Sequence, residues 1–253
     1  MIIGYKKGKI VLRPYCSLNC LFCEGCSRAT KKEIEKQEKE VYKQLQKLKE
    51  KEIEKVTIAG TDPIEYEYII ELIEYIKNNF KEVKLFTNGT RVGDSSFAKK
   101  LIAADLDKII VPIYGSNAKI HDSITNKKGS FKKIVAAINN VSESIKVGVN
   151  TLILKNNKDD LINIVDLVDD LRVNDHSFSI PEIADSFKVD TSFYIPIKNL
   201  SFCARRLYDY VLKNNKEVYF KRIPFCVFEE FNQEIITNKK GISDLNLTDK
   251  VPY

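Results

Sequence analysis

Four of the six cysteines, Cys16, Cys20, Cys23 and Cys26, fall within eleven residues, while Cys203 and Cys226 lie far along the chain. The opening Met1-Ile2-Ile3-Gly4-Tyr5-Lys6-Lys7 has no long apolar stretch behind its lysines, so no secretion signal is read there. A disulfide framework is therefore disfavoured, and metal or catalytic use of the cysteines is the better expectation. Cys16, Cys20 and Cys23 make a C-x3-C-x2-C motif directly after a predicted strand. Three thiolates so spaced can hold three irons of a [4Fe-4S] cube. The fourth iron is left open, much as an open position separates a catalytic zinc from a structural one. A structural zinc site usually needs two separated C-x2-C knuckles, and the sequence has no second one. Cys26 extends the motif to C-x3-C-x2-C-x2-C. As a fourth ligand it would close the site and make the protein an electron carrier or a structural iron–sulfur module; otherwise it lies on the exit of the loop.

The remaining chemistry-bearing residues are less specific. Cys203 follows Phe202 in a helical pattern, and Cys226 sits in Ile223-Pro224-Phe225-Cys226-Val227. Apolar flanks of this kind favour small buried hydrophobes. An auxiliary iron–sulfur cluster would need a non-cysteine ligand besides the three spare cysteines, and a thiol that donates hydrogen to a substrate radical is the third possibility. His121 and His176 have no metal-ligand spacing between them, which favours structural roles.

The elements that must position these residues alternate regularly. Short runs rich in Val, Ile or Phe predict strands at 9–13, 55–59, 83–87, 108–113, 146–154 and 175–180, of the type buried on both faces of a parallel sheet. Between them, Thr30-Lys31-Lys32-Glu33 reads as a capping box opening a helix to about Glu52, and 64–79 is periodic through Ile69, Leu72, Ile73 and Ile76. Asp94, Ser130 and Asn157 are expected to cap helices over 95–104, 131–141 and 158–171. Six strand–helix alternations imply a parallel α/β sheet with right-handed crossovers, open and doubly wound or rolled into a partial barrel. Its strand ends form the active face. Residues 1–180 make this core. Residues 181–253, punctuated by prolines and predicted to hold a helix at 199–213 and a strand at 217–221, read as an α/β extension packing on it.

Composition bounds the function classes. With 43% hydrophobic and 30% charged residues in 253, the chain is neither disordered nor collagen-like. No apolar run approaches the roughly 20 residues that span a bilayer, so a soluble, cytoplasmic protein without membrane contact is expected. The net charge of +6 is spread over Glu- and Lys-alternating helix faces, and nucleic-acid binding is disfavoured. Lys6, Lys7, Lys9, Arg13, Arg28, Lys31 and Lys32 surround the cysteine segment and could orient an acidic partner.

The cysteine loop resembles the signature of the radical S-adenosylmethionine (radical SAM) enzymes. Further matches follow in order at predicted strand ends. Gly60-Thr61-Asp62-Pro63 looks like that family's Gly-Gly-Glu-Pro motif, and Thr87-Asn88-Gly89 is similar to its Thr-Asn-Gly. The stretches Tyr114-Gly115-Ser116 through His121-Asp122 and Gly129-Ser130-Phe131 look like its fourth-strand region. The resemblance covers roughly residues 9–180 and implies a partial (β/α)6 TIM-like barrel. It implies a [4Fe-4S] cluster on Cys16, Cys20 and Cys23 whose open iron is chelated by S-adenosylmethionine (SAM). It also implies reductive cleavage of SAM to a 5′-deoxyadenosyl radical that abstracts hydrogen from a small-molecule or peptide substrate. A low-potential donor such as a flavodoxin or ferredoxin and sensitivity to oxygen follow. Carried over, Phe22 lies near the adenine, the Gly60–Asp62 backbone and the Asp62 carboxylate hold the methionyl ammonium, and Asn150 meets the ribose hydroxyls. No catalytic residue beyond these is assigned.

Two departures stand out. Thr61 replaces a glycine and therefore needs ordinary backbone angles. Asp62 replaces a glutamate, and although one methylene shorter it can still accept a charge-assisted hydrogen bond. A plainer reading makes Gly60–Pro63 a strand-to-helix turn with Asp62 as the helix cap.

Overall fold

Seven short β-branched runs extend as strands: β1 Lys7–Leu12, β2 Lys55–Gly60, β3 Glu82–Phe86, β4 Lys108–Pro112, β5 Lys146–Leu152, β6 Asp175–Ser179 and β7 Tyr219–Lys221. The computed structural model describes residues 6–23, 31–181, 192–224 and 227. Every strand pairs parallel with its neighbours in sequence order, β1 through β7. The six expected strands are all present, and the C-terminal strand joins the same sheet as a seventh, Ser177 lying opposite Tyr219.

Burial alternates along β1 to β4, whereas β5 and β6 are buried almost throughout. Ile10, Leu12, Val56, Ile58, Val83, Leu85, Val147, Val149 and Phe178 are inaccessible to solvent or within 1% of it. Each such side chain contributes about 1.5–3 kcal/mol of burial. In β1 to β4 the intervening residues face the other way and remain partly open, which corrects the expectation of strands covered on both faces there; β5 and β6 are covered on both faces as expected. A single cavity of about 720 Å³ is lined by residues of β1, β7 and strands between them. One cavity can touch both edges only if the sheet curls, and the result is an open half-barrel of the partial TIM type.

Helices cover the convex face: α1 Lys31–Glu50, α2 Ile69–Asn79, α3 Ser95–Ala103, α4 Ala118–Thr125, α5 Ser130–Val141, α6 Leu161–Asp170 and α7 Ile197–Lys213. In α2 the stripe Ile69, Leu72, Ile73 and Ile76 is buried, as its period predicts. Asp94 caps α3 by accepting from Ser96 N at 2.8 Å. Among the described residues, no helix is long and apolar enough to cross a membrane.

Three local expectations are corrected. The stretch before α2 is a 3-10 turn at Pro63–Glu65, because the proline and the anchored Asp62 hold the chain outside the helical path. Ser130 is inside α5 rather than capping it; Gly129 holds the cap position with φ +84°. Asn157 caps nothing. It is buried, accepts from Leu154 N and donates to the carbonyls of Tyr114 and Leu152, so it staples the exits of β4 and β5 together. The expected cap Thr30 lies outside the described residues.

Candidate active site

The cysteine loop leaves β1 at the C-terminal end of the sheet and is fixed from two sides. Asn19 N and Leu21 N donate to the carbonyls of Thr125 and Ile124, the last turn of α4, at 3.2 and 2.9 Å. Helix-end carbonyls lack intrahelical partners, and here the loop supplies them. On the other side Asn88, just past β3, donates from Nδ2 to Cys16 Sγ at 3.4 Å and to Ser17 Oγ at 3.3 Å. Ser17 Oγ also meets Thr90 Oγ1 at 2.9 Å. A turn closed by Cys23 N donating to Cys20 O brings those two cysteines together. Cys16 and Cys20 are half-buried and Cys23 is exposed.

Burial, then the neighbouring Cys16 and Cys23, push the Cys20 thiol up to about 12. Such thiols keep their protons until a metal replaces them. Cys16 and Cys23 stand close enough to act electrostatically on Cys20, and three clustered thiols are the donor set that an iron–sulfur cluster takes.

Phe22 packs edge-on against Tyr114, with ring centres 5.2 Å apart, and against Phe193 at 6.5 Å. Tyr114, Ile124, Leu152, Leu154 and Phe193 form a small apolar cluster, and Cys20 and Phe22 lie against it. The cluster gives the cysteine loop a dry shelf at the strand ends.

Gly60 ends β2 with φ +144°, and a Cβ there would stand 1.6 Å from Leu12 O. Thr61 needs no such freedom, and its N–H donates to Leu12 O at 3.0 Å. Asp62 is fully buried. Its Oδ1 accepts from Thr87 Oγ1 at 2.6 Å and from Asn88 N at 3.2 Å, whereas Oδ2 has no partner. Burial raises the carboxyl to about 7, against the opposing effect of those two hydrogen bonds. Asp62 makes no side-chain cap, so the plainer helix-cap reading is not what the structure shows. Asn150, half-buried on β5, accepts at Oδ1 from Ser177 and Ser179 hydroxyls, each at 3.1 Å, and lines the cavity together with Gly60.

Cys16, Cys20, Cys23 and Phe22 therefore share one loop, and Asn88 ties that loop to Asp62. Cys26 and Cys226 lie outside the described residues. Cys203 is buried on α7, among Lys158, Asp159 and Arg206, on the helical side of the fold. His121 stacks on Tyr114, and its Nδ1 accepts from Tyr114 N; burial pushes it down to about 4. His176 bonds Thr151 through Nε2, and burial pushes it down to about 3. Both rings are neutral packing residues at physiological pH.

Sequence reasoning missed the supports. Asn88 belonged to a quoted motif but received no role. Asp122 stood in the quoted fourth-strand stretch and likewise received no role. In the structure it accepts from Gly129 N at 2.6 Å, from Phe131 N at 2.8 Å and from Ser130 Oγ at 2.8 Å, so it caps α5 from across the α4–α5 turn. Burial raises its carboxyl, but those three bonds outweigh it and hold the group below its ordinary value. Its stabilisation is present above the unfolded value near 3.8 and is lost as pH falls through the folded one. Asp122→Ala is expected to cost about 2–3 kcal/mol at pH 7. Urea unfolding checks this, and a loss below about 0.5 kcal/mol would show that the cap is not what holds α4 against α5.

Parallel strands, a cysteine loop after β1 and an acidic turn after β2 define a half-barrel protein with its reactive face at the strand ends. The family model of the Radical SAM superfamily matches residues 10–168, and the chain belongs to that superfamily. Its cofactors are accordingly a [4Fe-4S] cluster and SAM. AdoMet-dependent heme synthase of Methanosarcina barkeri is 26% identical over 157 residues, covering 62% of this chain and 45% of that protein. The probable GTP 3′,8-cyclase of Thermococcus kodakarensis is 28% identical over 153 residues, covering 58% and 47%. The chain thus spans about half the length of these curated relatives. Streptococcus suis SuiB bound to precursor peptide SuiA has a similar fold, with TM-score 0.71, 15% identity and coverage of 91% of this chain and 52% of that one.

Proposed function

We propose that the protein is a radical SAM enzyme acting on a small-molecule or peptide substrate, with Cys16, Cys20 and Cys23 as the three cluster ligands. The observation that carries this reading is the hydrogen-bonded run from Cys16 through Asn88 to Asp62. It couples the cysteine loop to a buried carboxylate whose second oxygen lacks a partner. A four-cysteine electron carrier has no need of such a group. When bound, the cluster and SAM supply reductive C–S cleavage and a 5′-deoxyadenosyl radical for hydrogen abstraction, with the electron coming from a flavodoxin- or ferredoxin-like donor.

The chain's own residues bind and orient. Asp62 Oδ2 and the Gly60–Asp62 backbone offer acceptors to the methionyl ammonium, Thr87 and Asn88 hold that carboxylate in place, and Asn150 offers its amide N–H groups to the ribose hydroxyls. Phe22, on its apolar shelf, flanks the adenine and keeps water from the reacting end of the site.

The decisive experiment is anaerobic reconstitution with iron and sulfide, reduction with dithionite, and electron paramagnetic resonance with and without SAM alongside a 5′-deoxyadenosine assay. A signal that changes with SAM, together with product, supports the reading; a cluster indifferent to SAM makes Cys26 the fourth ligand and the protein an electron-transfer or structural module. Asp62→Asn keeps the acceptor for Thr87 but puts N–H donors where the ammonium needs an oxygen. SAM binding is expected to weaken roughly tenfold or more with iron content unchanged. Because the carboxyl titrates near 7, wild-type affinity should fall as pH drops from about 8 to 6, and the variant should be flat. Unaltered SAM affinity in the variant removes Asp62 from the SAM site.

A further inference from the structure

The floor of the half-barrel carries a charge pattern that SAM binding does not use. Strand register places Lys9, Thr57, Lys84, Lys108 and Lys146 on one level across five adjacent strands. One layer below, Lys7 and Lys55 align with Glu82. Among the described residues, two acids on this face pair with lysines of this set. Glu82 pairs with Lys55 and Lys84, and Asp175 pairs with Lys108. Lys7 and Lys9 line the 720 Å³ cavity and, among the described residues, pair with no acid there, and Lys221 and Arg222 add positive charge from the β7 side. Above this basic floor comes an apolar band. Phe86, Ala59 and Ile110 line the cavity at this level, and Phe86 is 40% exposed although it sits within a strand of the sheet. The rim above holds Gly60, Asn150 and Ser177.

We infer that this cavity takes a small anionic substrate, its phosphate or carboxylate group on Lys7 and Lys9 and its apolar or planar body against Phe86 and Ile110. The occupant's identity as substrate rests on the radical SAM reading; the anion site itself stands on the cavity and its charges. Low-dielectric walls carrying one sign of charge concentrate counter-ions. Lysine ammonium groups act as point charges and select for charge more than for planar shape. An anion held at the floor would direct the opposite end of the molecule toward Gly60 and Asn150, where the chemistry is proposed to occur. A neutral or cationic substrate would leave Lys7 and Lys9 without function.

The test uses the purified full chain at low ionic strength. Calorimetric titration with inorganic pyrophosphate, and separately with citrate, should each show one site per chain, and the tighter of the two identifies the phosphoryl or carboxylate preference. Lys7→Gln and Lys9→Gln should each weaken binding roughly tenfold, Lys9→Arg should retain it, and Lys99→Gln, exposed on α3, should change nothing. Circular dichroism of each variant verifies that it is folded. Absence of binding, or equal loss in Lys99→Gln and Lys9→Gln, overturns the inference. SAM cleavage that fails while Lys9-dependent anion binding persists would sink the enzyme reading and leave the anion site standing. Cleavage without anion binding would do the reverse.

Discussion

Cys16→Ala, Cys20→Ala and Cys23→Ala should each reduce reconstituted iron from about four per chain to near zero and abolish 5′-deoxyadenosine formation, while Cys26→Ala retains both. Each of the three losses follows from where that thiol stands. Cys16 receives the Asn88 side-chain donor, and Cys20 sits on the apolar shelf of Tyr114 and Phe193. Cys23 is turned back toward Cys20 by the bond from its own N–H to the Cys20 carbonyl. All three are held before any metal arrives, so removing one deletes a positioned ligand. The raised Cys20 thiol adds a pH dependence: assembly must displace a tightly held proton, so its rate should increase from pH 7 to pH 9. Iron and sulfide analysis with the electron paramagnetic resonance signal measures all of this. If Cys26→Ala alone destroyed the cluster, the open-iron arrangement would be abandoned.

How far the site was legible depends on the range of the interactions that build it. Strands such as Val83-Lys84-Leu85 and the Asp94 cap declare themselves within a few residues, because one face of a strand or the first turn of a helix decides them. The cysteine spacing is local too. What escaped is bonding between residues distant in sequence. Thr87 reaches Asp62 across 25 positions, and Asn88 reaches Cys16 across 72. No period or propensity announces either bond. Ser130 looked like a cap because its hydroxyl suits one, yet Asp122 takes that role from the preceding turn and the hydroxyl serves as one of its donors. The half-open strands were misread for a different reason. Apolar residues recur in each run, and the lysines between them, such as Lys84 and Lys108, look like surface interruptions until register sets them side by side inside the curl.

Gly60→Ala tests whether the β2 turn is built by close approach as much as by backbone angle. Two penalties fall on the same atom. At φ +144° an L-residue meets its own backbone, and the added Cβ would stand 1.6 Å from Leu12 O and 2.7 Å from Leu12 C. Those are main-chain atoms of a paired strand, with no flexible side chain to swing aside. Leu12 and Gly60 are register partners, and Leu12 O also accepts from Thr61 N. Relief therefore requires β1 to separate from β2 at the point where the cysteine loop departs. The expected cost is at least about 3–4 kcal/mol, enough to leave much of the chain unfolded at 37 °C, with iron incorporation lost in whatever remains folded. Gly129→Ala is the matched control. Its φ is +84° as well as positive, but a Cβ there has nothing within 4 Å. Only the left-handed strain remains, about 1–2 kcal/mol, and cluster assembly should persist. Thermal and urea unfolding of the two variants side by side separate the effects. Equal losses would mean that backbone strain alone governs Gly60 and that the contact with Leu12 relaxes freely. A large gap would locate the constraint in the contact that sets the cysteine loop beside the Asp62 turn.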